Sequence, residues 1–346
     1  RLIPQHHKLA GLTVKTSNLC SEITLPTGVD KDGRDRTAVC CLSSLNVEKY
    51  DEWKNDKNFI TDIMRFLDNV LTDFIERASE EFSDATYSAL RERSVGLGVM
   101  GLHSFFQQKM IPIESVMSKV WNKKIFEHIQ KEVDQASKDL AEERGACPDA
   151  ADYGIKERFS NKTAIAPTAS ISIICGGTSP GVEPIAANSY THKTLSGSFN
   201  VRNKYLQKIL EKYNKNDEET WSSITTNQGS VSHLDFLTQQ EKDVFKTAFE
   251  IDQKWIIELG ADRTPHISQA QSINVFVPAD VHKKELHEIH FQAWKKGLKS
   301  LYYCRSKSIQ RAENINDSKS TDVLANVYKK KETNEETEYE ECLSCQ

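Results

Sequence analysis

Long stretches of this chain carry apolar residues at the three- and four-residue spacing of an amphipathic helix. The clearest covers residues 51–77, where isoleucine, leucine, valine and phenylalanine recur on one side. Residues 115–144 are rich in alanine, lysine and glutamate, which favour helices. Residues 96–108 also predict a helix, whose three glycines would let neighbouring backbones approach closely. Further helices are predicted over residues 205–212, 239–259 and 283–297.

Short β-type runs lie between these predicted helices. Residues 171–174 form a β-branched run that follows Pro167 and precedes several glycines and Pro180, which predicts a buried strand between two loops. Two further runs occur at residues 273–277 and 300–304. Because long helices alternate with short buried strands, the sequence predicts an α/β fold with a parallel sheet, either open or closed into a barrel.

The C-terminal part of the chain has a different composition. From residue 306 onward it is polar and charged, with too little apolar surface to offset the entropy of ordering it. We therefore expect a folded region over residues 1–305 and a flexible tail over residues 306–346. The tail ends in Cys342 and Cys345, a Cys-x-x-Cys pair that could exchange disulfides, supply half of a zinc site, or have no function. The position of the pair at the end of a flexible tail favours disulfide exchange over the other two interpretations.

Composition narrows the classes of function. The 346 residues are 38% hydrophobic and 27% charged, with a net charge of −5, which gives no electrostatic reason to bind nucleic acid or an anionic membrane. No apolar run approaches the roughly 18 residues of a membrane span, and the first residues lack the layout of a secretory signal. The expected location is cytoplasmic, where cysteines more often serve catalysis, redox exchange or metal binding than disulfide scaffolds.

Candidate chemistry begins with an amide, a thiol and a carboxylate that alternate along the chain. In an extended or hairpin loop, Asn18, Cys20 and Glu22 would point the same way into one pocket. A thiyl radical could abstract hydrogen there while the carboxylate accepts a proton and the amide holds substrate hydroxyls. The alternative is an ordinary loop cysteine with polar neighbours.

Three other groups of residues also have two interpretations each. Cys40 and its neighbour Cys41 are either small hydrophobic side chains in a β-type segment or include a redox thiol whose partner lies elsewhere. Tyr302 and Tyr303 are either packing residues or a stacked pair that relays an electron and a proton to a buried thiol. The loop that begins at Pro167 is either an ordinary strand entry or a phosphate site built from main-chain amides.

Together these residues resemble the large, catalytic subunit of class I ribonucleotide reductase, specifically its C-terminal portion in the form carried by T4-like bacteriophages. The matching stretches cover nearly the whole chain and occur in the same order as in the family. The matching stretches are NLCSE at 18–22, AVCCLSSLN at 38–46, RSVGLGVMGLH at 93–103, PTASIS at 167–172, QSIN at 271–274, LYY at 301–303 and the terminal cysteine pair.

The resemblance implies a fold and an active site. Residues 1–305 would form the C-terminal half of a ten-stranded α/β barrel with a central finger loop near residues 11–30. Cys20 at the tip of the finger would be the thiyl-radical cysteine that abstracts the 3′-hydrogen of a ribonucleoside diphosphate. Glu22 would be the general base on the 3′-hydroxyl, and Asn18 would hydrogen-bond the substrate. Cys40 would be one of two thiols that reduce the 2′-position and become a disulfide.

Other roles follow from the same resemblance. Tyr302 and Tyr303 would be the last relay of the radical, which comes from a diiron-tyrosyl centre in a separate small subunit. Cys342 and Cys345 would re-reduce the active-site disulfide and pass the electrons to thioredoxin or glutaredoxin. The diphosphate pocket would be lined by Thr168, Ala169, Ser170 and Ile171. The chain itself would bind no metal or other cofactor.

The family features that lie upstream of this stretch are missing from the sequence. They are the second reducing cysteine, the effector sites for ATP and deoxynucleotides, and the first half of the barrel. Since the chain opens on Arg1, we expect a fragment or split subunit that is inactive without an N-terminal half. The competing hypotheses are a non-catalytic fragment that binds the reductase partners and, less favoured, a zinc-binding module. Glycyl-radical and cobalamin-dependent reductases share the barrel but have no use for the tyrosine pair.

Overall fold

The computed structural model describes residues 3–194 and 197–306, without the side chains of residues 192–199. Its helices are α1 Gln5–Leu9, α2 Tyr50–Trp53, α3 Phe59–Arg77, α4 Ser83–Glu92, α5 Leu102–Gln108, α6 Val116–Arg144, α7 Pro148–Ala151, α8 Ala169–Ile174, α9 Lys204–Lys212, α10 Glu218–Thr226, α11 Gln239–Val244, α12 Gln253–Arg263 and α13 Lys283–Lys296. Its strands are β1 Gly28–Val29, β2 Asp35–Arg36, β3 Leu42–Asn46, β4 Gly96–Met100, β5 Ser189–Thr194, β6 Gly197–Arg202, β7 Val275–Val277 and β8 Cys304–Ser306.

Parallel segments form the framework of the described fold. β3 pairs in parallel with β4, and β4 is bridged to residues 163–165. Residues 163–165 bridge to the segment that leads into β7, and β7 pairs in parallel with β8. Helices connect each segment to the next, as parallel pairing requires. The predicted α/β architecture is confirmed.

The main hydrophobic core lies between these segments and the helices that cover them. Met64 of α3, Val99 of β4, Phe126 of α6 and Ile257 of α12 are each at most 1% exposed. A separate cluster lies within residues 205–245, where α9, α10 and α11 pack together. The largest helix, α6, begins where the Ser115 side chain accepts a hydrogen bond from the Ser118 N–H. No helix in the described ranges is both long enough and apolar enough to cross a bilayer.

Two sequence-based assignments were wrong because buried glycines and exposed isoleucines obscured the pattern. Residues 96–108 are not one helix, since β4 occupies the first part and α5 follows Gly101, which has φ of 82°. At Gly98 a Cβ would lie 2.3 Å from the Ala164 carbonyl oxygen, so the glycine allows two strands to pack closely. Residues 171–174 belong to α8 rather than to a strand, and Ile174 is 86% exposed.

Other predicted elements exist with changed bounds. The helix predicted over residues 239–259 is two helices, α11 and α12, because the Asp252 side chain caps a new helix start at the Lys254 N–H. The helix predicted over residues 51–77 is interrupted between α2 and α3. The run at residues 300–304 enters β8 only at its last residue. Cys342 and Cys345, with residues 307–346, lie outside the described residues.

Candidate active site

A finger-like segment at residues 12–27, without helix or strand, presents Cys20 at a tight turn. The Ser21 N–H donates to the Asn18 carbonyl over 3.1 Å, and Ser21 adopts a left-handed backbone with φ of 64°. The Asn18 side-chain oxygen accepts from the Ile23 N–H at 3.1 Å, which closes the turn from the other side. Asn18 therefore shapes the loop that carries the thiol, in addition to any contact with substrate.

The turn is fixed to the segment that leads into β7. The Ala270 N–H donates to the Glu22 carbonyl at 2.9 Å, and the Thr24 N–H donates to the Gln269 side chain at 3.1 Å. The Ser272 hydroxyl donates both to the Cys20 carbonyl and to a Glu22 carboxylate oxygen, the latter at 3.2 Å. Ser272 thus joins the backbone of the thiol residue to the carboxylate. Its motif, QSIN at residues 271–274, contributes to the family resemblance, but the sequence alone predicts no role for Ser272.

The Cys20 sulfur lies against the tyrosine pair. Its Sγ is 3.6 Å from the Tyr302 hydroxyl oxygen, and Cys20 is only 3% exposed. The rings of Tyr302 and Tyr303 stack with centroids 3.8 Å apart and planes at 29°. Tyr303 is 43% exposed, so the stack leads from the surface of the described chain to the buried sulfur. Burial, with hydrogen bonding to Tyr303 and Cys20, raises the pKa of Tyr302 well above its usual value, so the phenol stays protonated at neutral pH.

The carboxylate that sequence analysis placed beside the thiol is also buried. Glu22 is 3% exposed and accepts the hydrogen bond from Ser272 described above. Cys20, Glu22, Tyr302 and Tyr303 therefore meet in one region although they come from opposite ends of the folded chain. A sulfur, a phenol and a carboxylate in this arrangement can exchange a hydrogen atom and a proton away from bulk water.

The neighbouring cysteines at the start of β3 face different environments. Cys40 is exposed, whereas Cys41 is 8% exposed and its Sγ lies 3.9 Å from the Leu67 carbonyl oxygen of α3. Burial, with a contribution from Cys40, raises the pKa of Cys41 to about 11. Cys41 is thus a protonated core residue, and Cys40 is the accessible thiol of the two.

The predicted diphosphate loop lies at the end of the 163–165 segment and the start of α8. Thr168 has a left-handed backbone with φ of 55°, and its hydroxyl oxygen accepts from the Gly181 N–H at 2.7 Å. Ser170 and Ile171 are exposed on the first turn. The first turn of a helix leaves N–H groups without intrahelical partners, as main-chain phosphate binding requires.

The surroundings of the finger include a cavity but, in the described ranges, no group of metal ligands. No three His, Cys, Asp or Glu side chains there converge as metal ligands. A cavity of about 600 Å³ lies beside residues 12–17 and is also lined by Trp294 and Leu298, but Cys20, Glu22 and Tyr302 do not line it. The cavity therefore adjoins the base of the finger and not the reactive side chains.

The chain matches the family described as ribonucleotide reductase, barrel domain, over residues 4–157 and 149–304. It is 52% identical over 303 residues to the ribonucleoside-diphosphate reductase large subunit of Invertebrate iridescent virus 6, covering 86% of this chain and 31% of that protein. For the large subunit of Invertebrate iridescent virus 3, identity is 45% over 324 residues, covering 93% of this chain and 50% of that protein. Both relatives are viral, in agreement with the viral type that the resemblance indicates.

A solved structure is also similar. The Actinobacillus ureae class Id ribonucleotide reductase alpha subunit matches with a TM-score of 0.81 and 38% sequence identity, covering 88% of this chain and 56% of that one. The chain thus spans about a third to a half of the length of the two viral relatives.

Proposed function

The chain belongs to the ribonucleotide reductase large-subunit family, and on this premise we propose that it forms the C-terminal part of the catalytic α/β barrel of a ribonucleoside-diphosphate reductase. The reaction replaces the 2′-hydroxyl of a ribonucleoside diphosphate by hydrogen and supplies precursors for DNA synthesis. The observation that carries the proposal is the 3.6 Å contact between the Cys20 sulfur and the Tyr302 hydroxyl, backed by the stacked Tyr303 ring. A thiol placed for ordinary packing has no need of two aligned phenols.

The radical would reach Cys20 through the two phenols. A tyrosyl radical at Tyr303 takes an electron and a proton from Tyr302, and Tyr302 in turn takes the hydrogen atom of the Cys20 thiol. The raised pKa of Tyr302 favours this route, because electron and proton must move together when the phenolate is inaccessible. The original oxidant is supplied by a diiron-tyrosyl centre in a separate small subunit.

At the substrate, Cys20 would act first and last. Its sulfur removes the 3′-hydrogen, forming an S–H bond and breaking the C3′–H bond. Glu22 takes the proton of the 3′-hydroxyl, while the 2′-hydroxyl takes a proton from one of the two reducing thiols and leaves as water. Cys40 and the second thiol together give up two protons and two electrons, one proton leaving in the water and the other reaching C2′ within a hydrogen atom, and become a disulfide. Glu22 then returns its proton to the 3′-oxygen, and Cys20 returns its hydrogen atom to C3′. Asn18 would hydrogen-bond the hydroxyls of the substrate ribose.

The substrate diphosphate would lie at the start of α8. Thr168, Ala169, Ser170 and Ile171 offer the main-chain N–H groups of a helix entry, and the family resemblance assigns them this role. Cys342 and Cys345 keep the role that the resemblance gives them, re-reducing the disulfide with electrons from thioredoxin or glutaredoxin. We place the reaction in the cytoplasm, where such thiols stay reduced.

The remainder of the catalytic subunit would complete the ten-stranded barrel along β3. Among the described residues β3 pairs only with β4, so its other edge presents unpaired backbone groups. A strand from an upstream half, supplied within a longer polypeptide or as a separate one, satisfies those groups. This half also carries the second reducing cysteine and the effector sites.

Reconstitution tests the proposal directly. This chain, the remaining part of the catalytic subunit and the small subunit are mixed with ribonucleoside diphosphates and dithiothreitol, and deoxyribonucleotides are measured by chromatography. We expect product only when all three proteins are present, because the barrel and the radical source are both incomplete otherwise. Turnover by this chain and the small subunit alone would refute the incomplete barrel. No turnover from the full mixture would instead favour a non-catalytic fragment.

Serine substitutions separate the roles of the two neighbouring cysteines. In the reconstituted enzyme, Cys40→Ser is expected to reduce multiple-turnover activity to background, because no disulfide can form. Cys41→Ser should retain activity and lower the free energy of unfolding by about 1 kcal/mol, since it alters only a buried packing contact. Loss of turnover in Cys41→Ser with an intact fold, and retention in Cys40→Ser, would show that the roles are exchanged.

A further inference from the structure

The two stacked tyrosines depend on an irregularity in the parallel ladder. In a regular parallel ladder, one residue uses both its own N–H and its own C=O to bond the neighbouring strand. Its two partners there, a carbonyl and an N–H, belong to residues two positions apart. Here the Ile273 carbonyl accepts from the Tyr302 N–H at 2.8 Å, while the Val275 N–H donates to the Tyr303 carbonyl at 2.9 Å. Two residues, Tyr302 and Tyr303, therefore stand opposite Asn274 alone, which is the geometry of a β-bulge.

The bulge accounts for the ring stacking. Side chains of consecutive residues in a regular strand point to opposite faces, so adjacent tyrosines could not place their rings 3.8 Å apart face to face. The extra residue turns the Tyr303 ring onto the side of Tyr302. It also removes the Tyr303 N–H from the ladder, and this partly buried donor then needs another acceptor.

The Asn274 side chain provides that acceptor, and Glu183 fixes the orientation of the Asn274 amide. The Tyr303 N–H donates to the Asn274 side-chain oxygen at 3.0 Å, and Asn274 is 2% exposed. The Asn274 amide nitrogen donates to a carboxylate oxygen of Glu183. Because the amide nitrogen donates to this Glu183 oxygen, the amide oxygen is turned the other way and faces Tyr303.

The electrostatic surroundings of Glu183 agree with a specific contact between Glu183 and Asn274. Burial raises the pKa of Glu183 to about 7, while the hydrogen bond from Asn274 and the charge of Arg305 act in the opposite direction. The Arg305 guanidinium also lies 5.3 Å from the Tyr303 ring centre. The geometry beside this shift is the contact with Asn274, through which Glu183 is joined to the residue that holds the Tyr303 N–H.

We propose that Asn274 and Glu183 are positioning residues for the radical path: Asn274 holds the Tyr303 backbone in the bulge that stacks the two phenols, and Glu183 orients the Asn274 amide. The structural half of this proposal stands alone, and only its effect on turnover rests on the proposed function.

The test compares Asn274→Leu, which keeps the branched shape but loses the amide, with Asn161→Leu as a matched control. Asn161 is also buried, and its amide bonds Ser94 near a different pair of parallel segments. Crystal structures of both variants report the ring stack, and the reconstituted enzyme reports kcat and KM. We expect Asn274→Leu to lose the stack and to lower kcat about 100-fold, the cost of a misplacement near 1 Å, with KM for the ribonucleotide unchanged. The control, Asn161→Leu, should keep both the ring stack and the original kcat.

Glu183 supplies the second pair of variants and covers the case in which Asn274→Leu does not fold. Glu183→Leu should lower kcat about tenfold, whereas Glu183→Gln should restore it, because its carbonyl oxygen still accepts from Asn274. An intact stack in Asn274→Leu, or an equal fall of kcat in Asn161→Leu, would overturn the proposal. If the unmodified complex shows no turnover, the proposed function has failed, and the crystal structures alone decide the positioning role.

Discussion

Replacing Cys20 by serine is expected to reduce deoxyribonucleotide formation by the reconstituted enzyme about 10⁴-fold or more, to the background of the assay. Serine is close to cysteine in size and should fit the same buried turn, 3.6 Å from the Tyr302 hydroxyl. However, an alkyl O–H bond is much stronger than an S–H bond, so a phenoxyl radical at Tyr302 cannot remove its hydrogen. The measurement is chromatographic quantification of the deoxynucleotide product.

Cys147→Ser is the matched control for this experiment. Cys147 is also fully buried, and its sulfur lies 3.5 Å from the Ser160 hydroxyl, a partner that a serine could keep. Turnover should survive in this variant, and both variants should unfold at similar denaturant concentrations. Full activity in Cys20→Ser would end the radical interpretation of the site, and loss of activity in both would point to general damage by thiol removal.

Tyr302→Phe should be nearly as damaging, with a fall in turnover of at least about 1000-fold, equivalent to about 4 kcal/mol in the activation barrier. Phenylalanine keeps the ring and its stacking on Tyr303 but removes the hydroxyl that contacts the Cys20 sulfur. Substrate affinity should not change, because the hydroxyl acts on the radical and not on the nucleotide. Equilibrium binding of a ribonucleoside diphosphate, measured beside kcat, separates the two effects.

Tyr50→Phe provides the comparison for Tyr302→Phe. The Tyr50 hydroxyl is bonded to His128 at 3.1 Å within the core, so its loss reports only the cost of removing a phenol from a packed site. We expect a modest loss of stability, about 1 kcal/mol, and unchanged turnover. Retained activity in Tyr302→Phe would show that the radical reaches Cys20 by another route.

Local pattern was sufficient for elements whose signals lie within their own sequence. The helix expected over residues 115–144 is α6, Val116–Arg144, because it combines a serine cap, helix-favouring residues and a terminal glycine. Prediction from local pattern failed at β4, where Gly96 and Gly98 are required by the close approach of neighbouring segments and not by β4 itself. It also failed at α8, whose isoleucines are exposed in the described chain.

The site was accessible from sequence only through resemblance to a known family. Nothing within residues 18–22 indicates Tyr302, because the contact joins positions 282 apart in the chain. The motif at residues 271–274 was noticed without a role, since Ser272 and Asn274 act through partners on other segments. A bulge is likewise invisible locally, because it is defined by which residues of two strands face each other.

The separation between Cys20 and its anchors also constrains how the protein is made. During synthesis the finger leaves the ribosome before its anchors, since Ser272 and Tyr302 follow Cys20 by 252 and 282 residues. Until then the Cys20 residue lacks its contacts with Ser272 and Tyr302, and contacts of such long range form late in folding. A ribosome that stalls before residue 272 would therefore release a polypeptide in which Cys20 is an ordinary, oxidisable cysteine, and the proposed radical chemistry becomes possible only after Tyr302 has been translated.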